Sequence, residues 1–315
     1  MTDHQPRRTT LRRPPRLRRG DRVALLTPSS PSNLDRFDEG VDILRFCGLD
    51  PVEYPSARAR GSAHGFLAGT DEERAKDLRA ALLDDSVAGV LSVCGGYGSQ
   101  RMLEVLDWSG LDAVAPKVVV GYSDVTALLE ALASRLGWSS LMGPMLSGGD
   151  FRESYSFASL WSCLSDPDGY GPLTFPAART MVAGAADGIT AGGCLSLLAG
   201  SIGTATTWMP PSGIVLVEDE NEDAARIDTM LTHLRRAGYF DRAVAVVGGA
   251  FSNAGDSTAD EVHAVLQDRL GGLGVPVITG ADLGHAGRMQ TWPIGVRARL
   301  DADARTLTFL EPPLQ

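Results

Sequence analysis

The chain is poor in cysteine, histidine and aromatic side chains. Four cysteines occur among 315 residues, at Cys47, Cys94, Cys163 and Cys194. None forms a C-x-x-C pair, which argues against a zinc ribbon or a dithiol redox motif and fits a reducing, cytoplasmic compartment. The five histidines are dispersed, and the acidic run Glu218-Asp219-Glu220-Asn221-Glu222 lacks the spacing of a calcium loop. No metal site is therefore expected. No apolar run approaches the ~20 residues of a transmembrane helix. No apolar h-region follows the first arginines, so no secretory signal is read there. Positive charge is also in deficit. The net charge is -10 and the pI near 5.0, which argues against a nucleic-acid or anionic-membrane partner.

What is present suits a globular enzyme. Hydrophobic residues make up 43% and charged residues 22%, enough for a substantial core. Residues 1–20 stand apart, with Arg7, Arg8, Arg12, Arg13, Arg16, Arg18 and Arg19 around Pro14-Pro15. Their composition predicts a disordered basic tail, with a polyanion-binding arm as the alternative. From Asp21 apolar runs alternate with helical patterns. Strands are read at 22–26, 51–54, 87–93 and 117–120. Helices are read at 33–46, 70–83, 99–107 and 124–136. Repeated βα units predict an α/β fold, with a Rossmann-like parallel sheet over 21–148. Residues 149–190 read as a connection holding one short helix near 155–164. Residues 191–315 read as a mixed α/β domain, with a helix at 192–202, strands at 213–217, 243–248 and 275–279, and antiparallel strands at the end.

Three polar residues fall where sites are built. Ser123, in Gly121-Tyr122-Ser123-Asp124, sits on a strand-to-helix turn, where free N–H groups meet a developing anion. Glu218 ends the apolar run 213–217, and His285 lies in Gly284-His285-Ala286-Gly287. A serine, a carboxylate and an imidazole can act as nucleophile, orienting acid and general base, in a cleft between two domains. Each has a plainer alternative: a helix cap, a solvated acidic loop, a loop histidine. Gly95-Gly96-Tyr97-Gly98 follows the strand 87–93. Its glycines allow a backbone donor at Gly96 to pair with that of Asp124 as an oxyanion hole. Cys94, before that loop, could instead be a thiol nucleophile of the glutaminase kind or a buried structural cysteine. Gly95, Tyr97 and Cys94 are candidate substrate contacts.

These residues carry a resemblance. Thr27-Pro28-Ser29-Ser30, Leu67-Ala68-Gly69-Thr70-Asp71, Gly95-Gly96-Tyr97-Gly98 with Arg101, Gly121 to Leu128, Leu216-Val217-Glu218-Asp219 with Arg226-Ile227-Asp228, and Gly284-His285 before Pro293-Ile294-Gly295 occur in order. Together, over about residues 20–312, they resemble the LD-carboxypeptidase family of serine peptidases. That family includes murein tetrapeptide carboxypeptidases and microcin C immunity hydrolases. The resemblance implies a Ser123–His285–Glu218 triad, cofactor-free hydrolysis, a homodimer, and cleavage between the L-centre of a diamino acid and a terminal D-alanine. Three positions depart from the family pattern: Cys94 where arginine is common, Cys194 where asparagine is common, and Met142 where histidine is common. Loss of a guanidinium at Cys94 bears on recognition of a substrate carboxylate. The expected function is release of D-alanine from a murein-derived tetrapeptide. An immunity-type hydrolase acting on an aminoacyl-nucleotide or related peptide antibiotic is the alternative, and a non-catalytic small-ligand binding module is a rival of another class.

Overall fold

Val23, Ala24, Leu25 and Leu26 are fully buried, so the first strand cannot be an edge. In the computed structural model, which describes residues 11–61 and 64–315, Arg22–Leu26 pairs in parallel with Asp50–Glu53 on one side and Val87–Ser92 on the other. Val118–Gly121 and Ser140–Met142 extend the sheet in parallel. A sixth strand, Trp292–Ile294, closes it antiparallel against Ser140–Met142. The C-terminal half of the chain thus supplies an edge of the N-terminal sheet. Strand order reverses between Arg22–Leu26 and Val87–Ser92. That switch point opens a crevice at the carboxyl ends of the strands, where α/β sheets bind ligands. The loops 27–32 and 94–98 rim it.

The second sheet has eight strands. Ala185–Cys194, Gly213–Glu220, Ala243–Ser252 and Val277–Thr279 run parallel at its centre. Arg297–Asp301, Thr306–Phe309 and Leu173–Thr174 flank one side and Arg179–Val182 the other, all antiparallel.

Helix boundaries follow capping chemistry. Thr70 and Glu73 exchange the two bonds of a capping box at the start of Asp71–Leu83, and Thr258 with Glu261 does the same for Ala259–Leu270. Arg74, fully buried, donates to the carbonyls of Pro28 and Gly98 and pairs with Asp71. Arg101 also grips Asp71, at 2.7 and 3.1 Å. The early motifs therefore form one scaffold under the crevice.

Three expectations are corrected. Residues 11–20 are not a disordered tail. Leu17 is 2% exposed, the Arg12 N–H donates to the Gly137 carbonyl, the Arg16 N–H donates to the Gln315 carbonyl, and the Gln315 N–H donates to the Pro14 carbonyl. The apolar residues and backbone pack, the Arg12 and Arg13 guanidiniums donate to the carbonyls of Leu136 and Pro312, and Arg18 and Arg19 are exposed, a division that charge density alone does not reveal. Arg7 and Arg8 of the expected tail lie outside the described residues. The connection 149–190 supplies strands of the second sheet as well as the helix Ser154–Ser165. The helix read at 192–202 begins at Leu195, because Gly192 to Cys194 continue a strand paired with Leu216 to Glu218.

Candidate active site

The site begins at a backbone outlier. Ser123 holds φ +60, a left-handed conformation uncommon for a side-chain-bearing residue. It joins the strand Val118–Gly121 to the turn Ser123–Val125, which runs into the helix Thr126–Ala131. Such a turn raises the hydroxyl above the sheet. Asp124 pins it from below. Its carboxylate, 3% exposed, accepts from Ser29 Oγ at 2.5 Å and from the Ser99 N–H at 2.8 Å. Both rim loops of the crevice are thereby locked to the serine turn.

Gly95 closes on Ser123 from the side. A Cβ on Gly95 would lie 3.2 Å from Ser123 Cβ and 3.5 Å from its Oγ. The peptide leaving Gly95 therefore starts beside the hydroxyl. Gly96 faces Ser30, whose Oγ also accepts from the Tyr97 N–H at 3.0 Å.

The second half supplies the other two groups. Glu218, fully buried, lies in the strand Gly213–Glu220. One of its oxygens accepts from His285 Nδ1 at 2.7 Å and from the His285 backbone N–H at 3.1 Å. The imidazole packs on Tyr122 with ring centroids 5.0 Å apart. Burial pushes the Glu218 carboxyl upward, and the bonds from His285 oppose it. Burial presses the His285 pKa down, but the bond and charge of Glu218, with Glu220 and Asp219, outweigh it and raise it.

Gly284 makes this pairing possible. Its φ is +75, and a Cβ there would stand 2.1 Å from Glu218 Oε2. Gly284→Ala is expected to displace the carboxylate or the histidine loop and to lower kcat roughly 100-fold or more. Steady-state kinetics beside a thermal melt will test this; a wild-type kcat would show that the pairing tolerates displacement.

Ser123 and His285 line one cavity of about 430 Å³. Cys94, Gly95 and Gly96 line it too, as does Cys194. Tyr97 does not; it is 53% exposed and sets its ring against Phe66 at 5.6 Å. Met142 is fully buried in register with Trp292, so that departure sits in the sheet. Burial raises the Cys94 thiol pKa, the opposite of what a thiolate nucleophile needs. Several lining residues escaped sequence reasoning. Asp219 accepts from the Ser196 N–H at 2.7 Å and so fixes the start of the helix Leu195–Ser201. Glu220 lies 3.8 Å from His285 Nε2. Membership of the acidic run was the signal for both, with the Leu216-Val217-Glu218-Asp219 motif a second one for Asp219.

A serine on a strand-to-helix turn shares a cavity with an imidazole held by a buried carboxylate in a two-sheet α/β frame, the set of groups that serine-type peptidases use. The comparisons make the class particular. The N-terminal domain model of the LD-carboxypeptidases matches residues 23–143 and the C-terminal domain model residues 187–300. The chain belongs to the LD-carboxypeptidase family. A Streptomyces coelicolor protein provisionally named a carboxypeptidase is 43% identical over 96% of this chain and 97% of its own. The murein tetrapeptide carboxypeptidase of Pseudomonas aeruginosa is 28% identical over 90% and 94%. The microcin C7 self-immunity protein MccF of Escherichia coli is 27% identical over 93% and 94%. A solved structure of MccF with glutamyl sulfamoyl guanosine shares the fold, at TM-score 0.85 and 24% identity, covering 96% of this chain and 99% of that one. Among the described residues no helix is long and apolar enough to cross a membrane.

Proposed function

We propose that Ser123, His285 and Glu218 are the catalytic triad of a carboxypeptidase that releases D-alanine from a murein-derived tetrapeptide. Ser123 Oγ attacks the amide carbonyl as His285 Nε2 takes its proton. Glu218 holds Nδ1–H and stabilises the imidazolium. Backbone N–H groups of Asp124 and Gly96 receive the oxyanion. The tetrahedral intermediate collapses as Nε2–H protonates the leaving amine. Water, activated by the freed imidazole, then hydrolyses the acyl-enzyme. The enzyme works in the cytoplasm as a homodimer and uses no cofactor.

The observation that carries this reading is the 2.7 Å bond from His285 to a fully buried Glu218 on the cavity that Ser123 also lines. The relatedness to MccF, with Cys94 in place of an arginine, favours a second reading: hydrolysis of an aminoacyl-nucleotide. Parallel assays separate the two. Turnover of a murein tetrapeptide, with D-alanine detected by mass spectrometry, is expected. Turnover of an aminoacyl sulfamoyl adenosine alone would reject the murein substrate, and no turnover or fluorophosphonate labelling would favour a binding module.

A further inference from the structure

One wall of the cavity carries a single sign. Asp219, Glu220 and Glu222 line it, and among the described residues no lysine or arginine does. Two of these carboxylates are occupied. Asp219 takes the N–H groups of Ser196 and Glu220 at 2.7 and 2.8 Å. Glu222 pairs with Arg226 at 3.3 Å. Glu220 is placed differently. Asn253 Nδ2 donates to its Oε1 at 2.9 Å and orients the carboxylate. Its Oε2 stands 3.8 Å from His285 Nε2, and its side chain is 35% exposed. That nitrogen is the one that must face Ser123 during acylation.

His285 therefore lies between two carboxylates, Glu218 at Nδ1 and Glu220 at Nε2. Asp219 and Asp150 add negative field, and Tyr122 covers one side of the ring. An imidazole so flanked holds its proton more tightly, and its charged form cannot take one from serine. A positive charge brought to Glu220 would cancel half of the clamp and return Nε2 to Ser123.

We infer that Glu220 is a specificity-determining residue that receives a cationic amino group of the substrate, and that this contact also frees His285 to act as base. The inference rests on the serine-hydrolase reading above. The chemistry it selects is a primary ammonium on the acyl side of the cut bond, as in lysine or a diamino acid. An acyl group with a side-chain carboxylate would meet like charge. The glutamyl and aspartyl sulfamoyl nucleotides in solved MccF complexes are of that acidic kind.

Two tetrapeptides test it, identical except that the lysine at position three is free or Nε-acetylated. Wild type is expected to favour the free amine by about 10- to 100-fold in kcat/KM, and Glu220→Gln to bring the two within about threefold. With the acetylated peptide, the acidic limb of the Glu220→Gln pH profile should move to lower pH, a shift that a merely structural role would not produce. Calorimetric binding of both peptides to Ser123→Ala reads the same preference without chemistry. Equal values for the two peptides, binding of neither, or a preference that survives Glu220→Gln would overturn the inference. Tighter binding of the free amine without any hydrolysis would keep the inference and reject the hydrolase.

Discussion

Ser123→Ala is expected to lower kcat roughly a millionfold while the protein stays folded and still binds substrate. The alanine removes the nucleophile and leaves the rest of the cavity standing. The Asp124 carboxylate still ties Ser29 and Ser99 to the turn, so the elbow keeps its shape. The residual rate comes from oriented backbone donors and binding alone. Glu218→Gln is expected to cost about ten-thousandfold, because the amide favours the wrong imidazole tautomer. The pH profile carries a further sign. His285 must be neutral to accept the serine proton, and its pKa is raised. Activity should therefore rise with pH along a limb displaced upward from that of a free imidazole. Single-turnover kinetics on both variants, with thermal melts as controls, will measure this. Full activity in Ser123→Ala would remove the triad from consideration.

Much of this site was legible because its parts carry local signals. The Ser123 turn lies between an apolar run and a helical one, and Thr70 to Glu73 spells a capping box. Glu218 ends an apolar run, and His285 follows a glycine that its φ of +75 and its close approach to Glu218 both require. Other elements gave weaker local cues. Ala185–Cys194 is rich in alanine and glycine, with Ile189 and Thr190 as its β-branched residues, so its strand character comes from burial between neighbours. Trp292–Ile294 is a three-residue strand containing a proline, fixed by pairing with Ser140–Met142 far away in sequence. The opposed contacts of His285 with Glu218 and Glu220 are likewise tertiary, since no spacing rule predicts which residue of an acidic run will face an imidazole.

Glu130→Gln is expected to stabilise the protein at alkaline pH and to change little at pH 5. Glu130 lies on the helix Thr126–Ala131 that follows the serine turn, and it is 2% exposed. Burial pushes its carboxyl up to about 8. The backbone of Trp208 and the hydroxyls of Ser201 and Tyr239 partly oppose that, yet neither carboxyl oxygen gains a partner of good geometry. In the unfolded chain the same group titrates near ~4.3. Between these values the folded state binds more protons than the unfolded state. Stability therefore falls as pH rises from about 4.5 to about 8, by up to ~1.4 kcal/mol per pH unit from this group, and falls no further above that range. Glutamine keeps the shape without the titration. It should recover about 2–4 kcal/mol at pH 8.5, where the carboxylate is otherwise held charged in an apolar site. Denaturant unfolding of both proteins at pH 5, 7 and 8.5 will show the effect as a difference that grows with pH. Parallel pH dependences would mean that Glu130 does not titrate in the folded protein. The location adds a consequence for activity: Ser201, Trp208 and Tyr239 belong to the second half of the chain, whereas Glu130 rides on the helix that begins at the Ser123 turn. Ionisation at Glu130 therefore loads a contact between the two halves of the chain on the helix that follows the Ser123 turn. Alkaline loss of activity in wild type should track its loss of stability, and Glu130→Gln should delay both together.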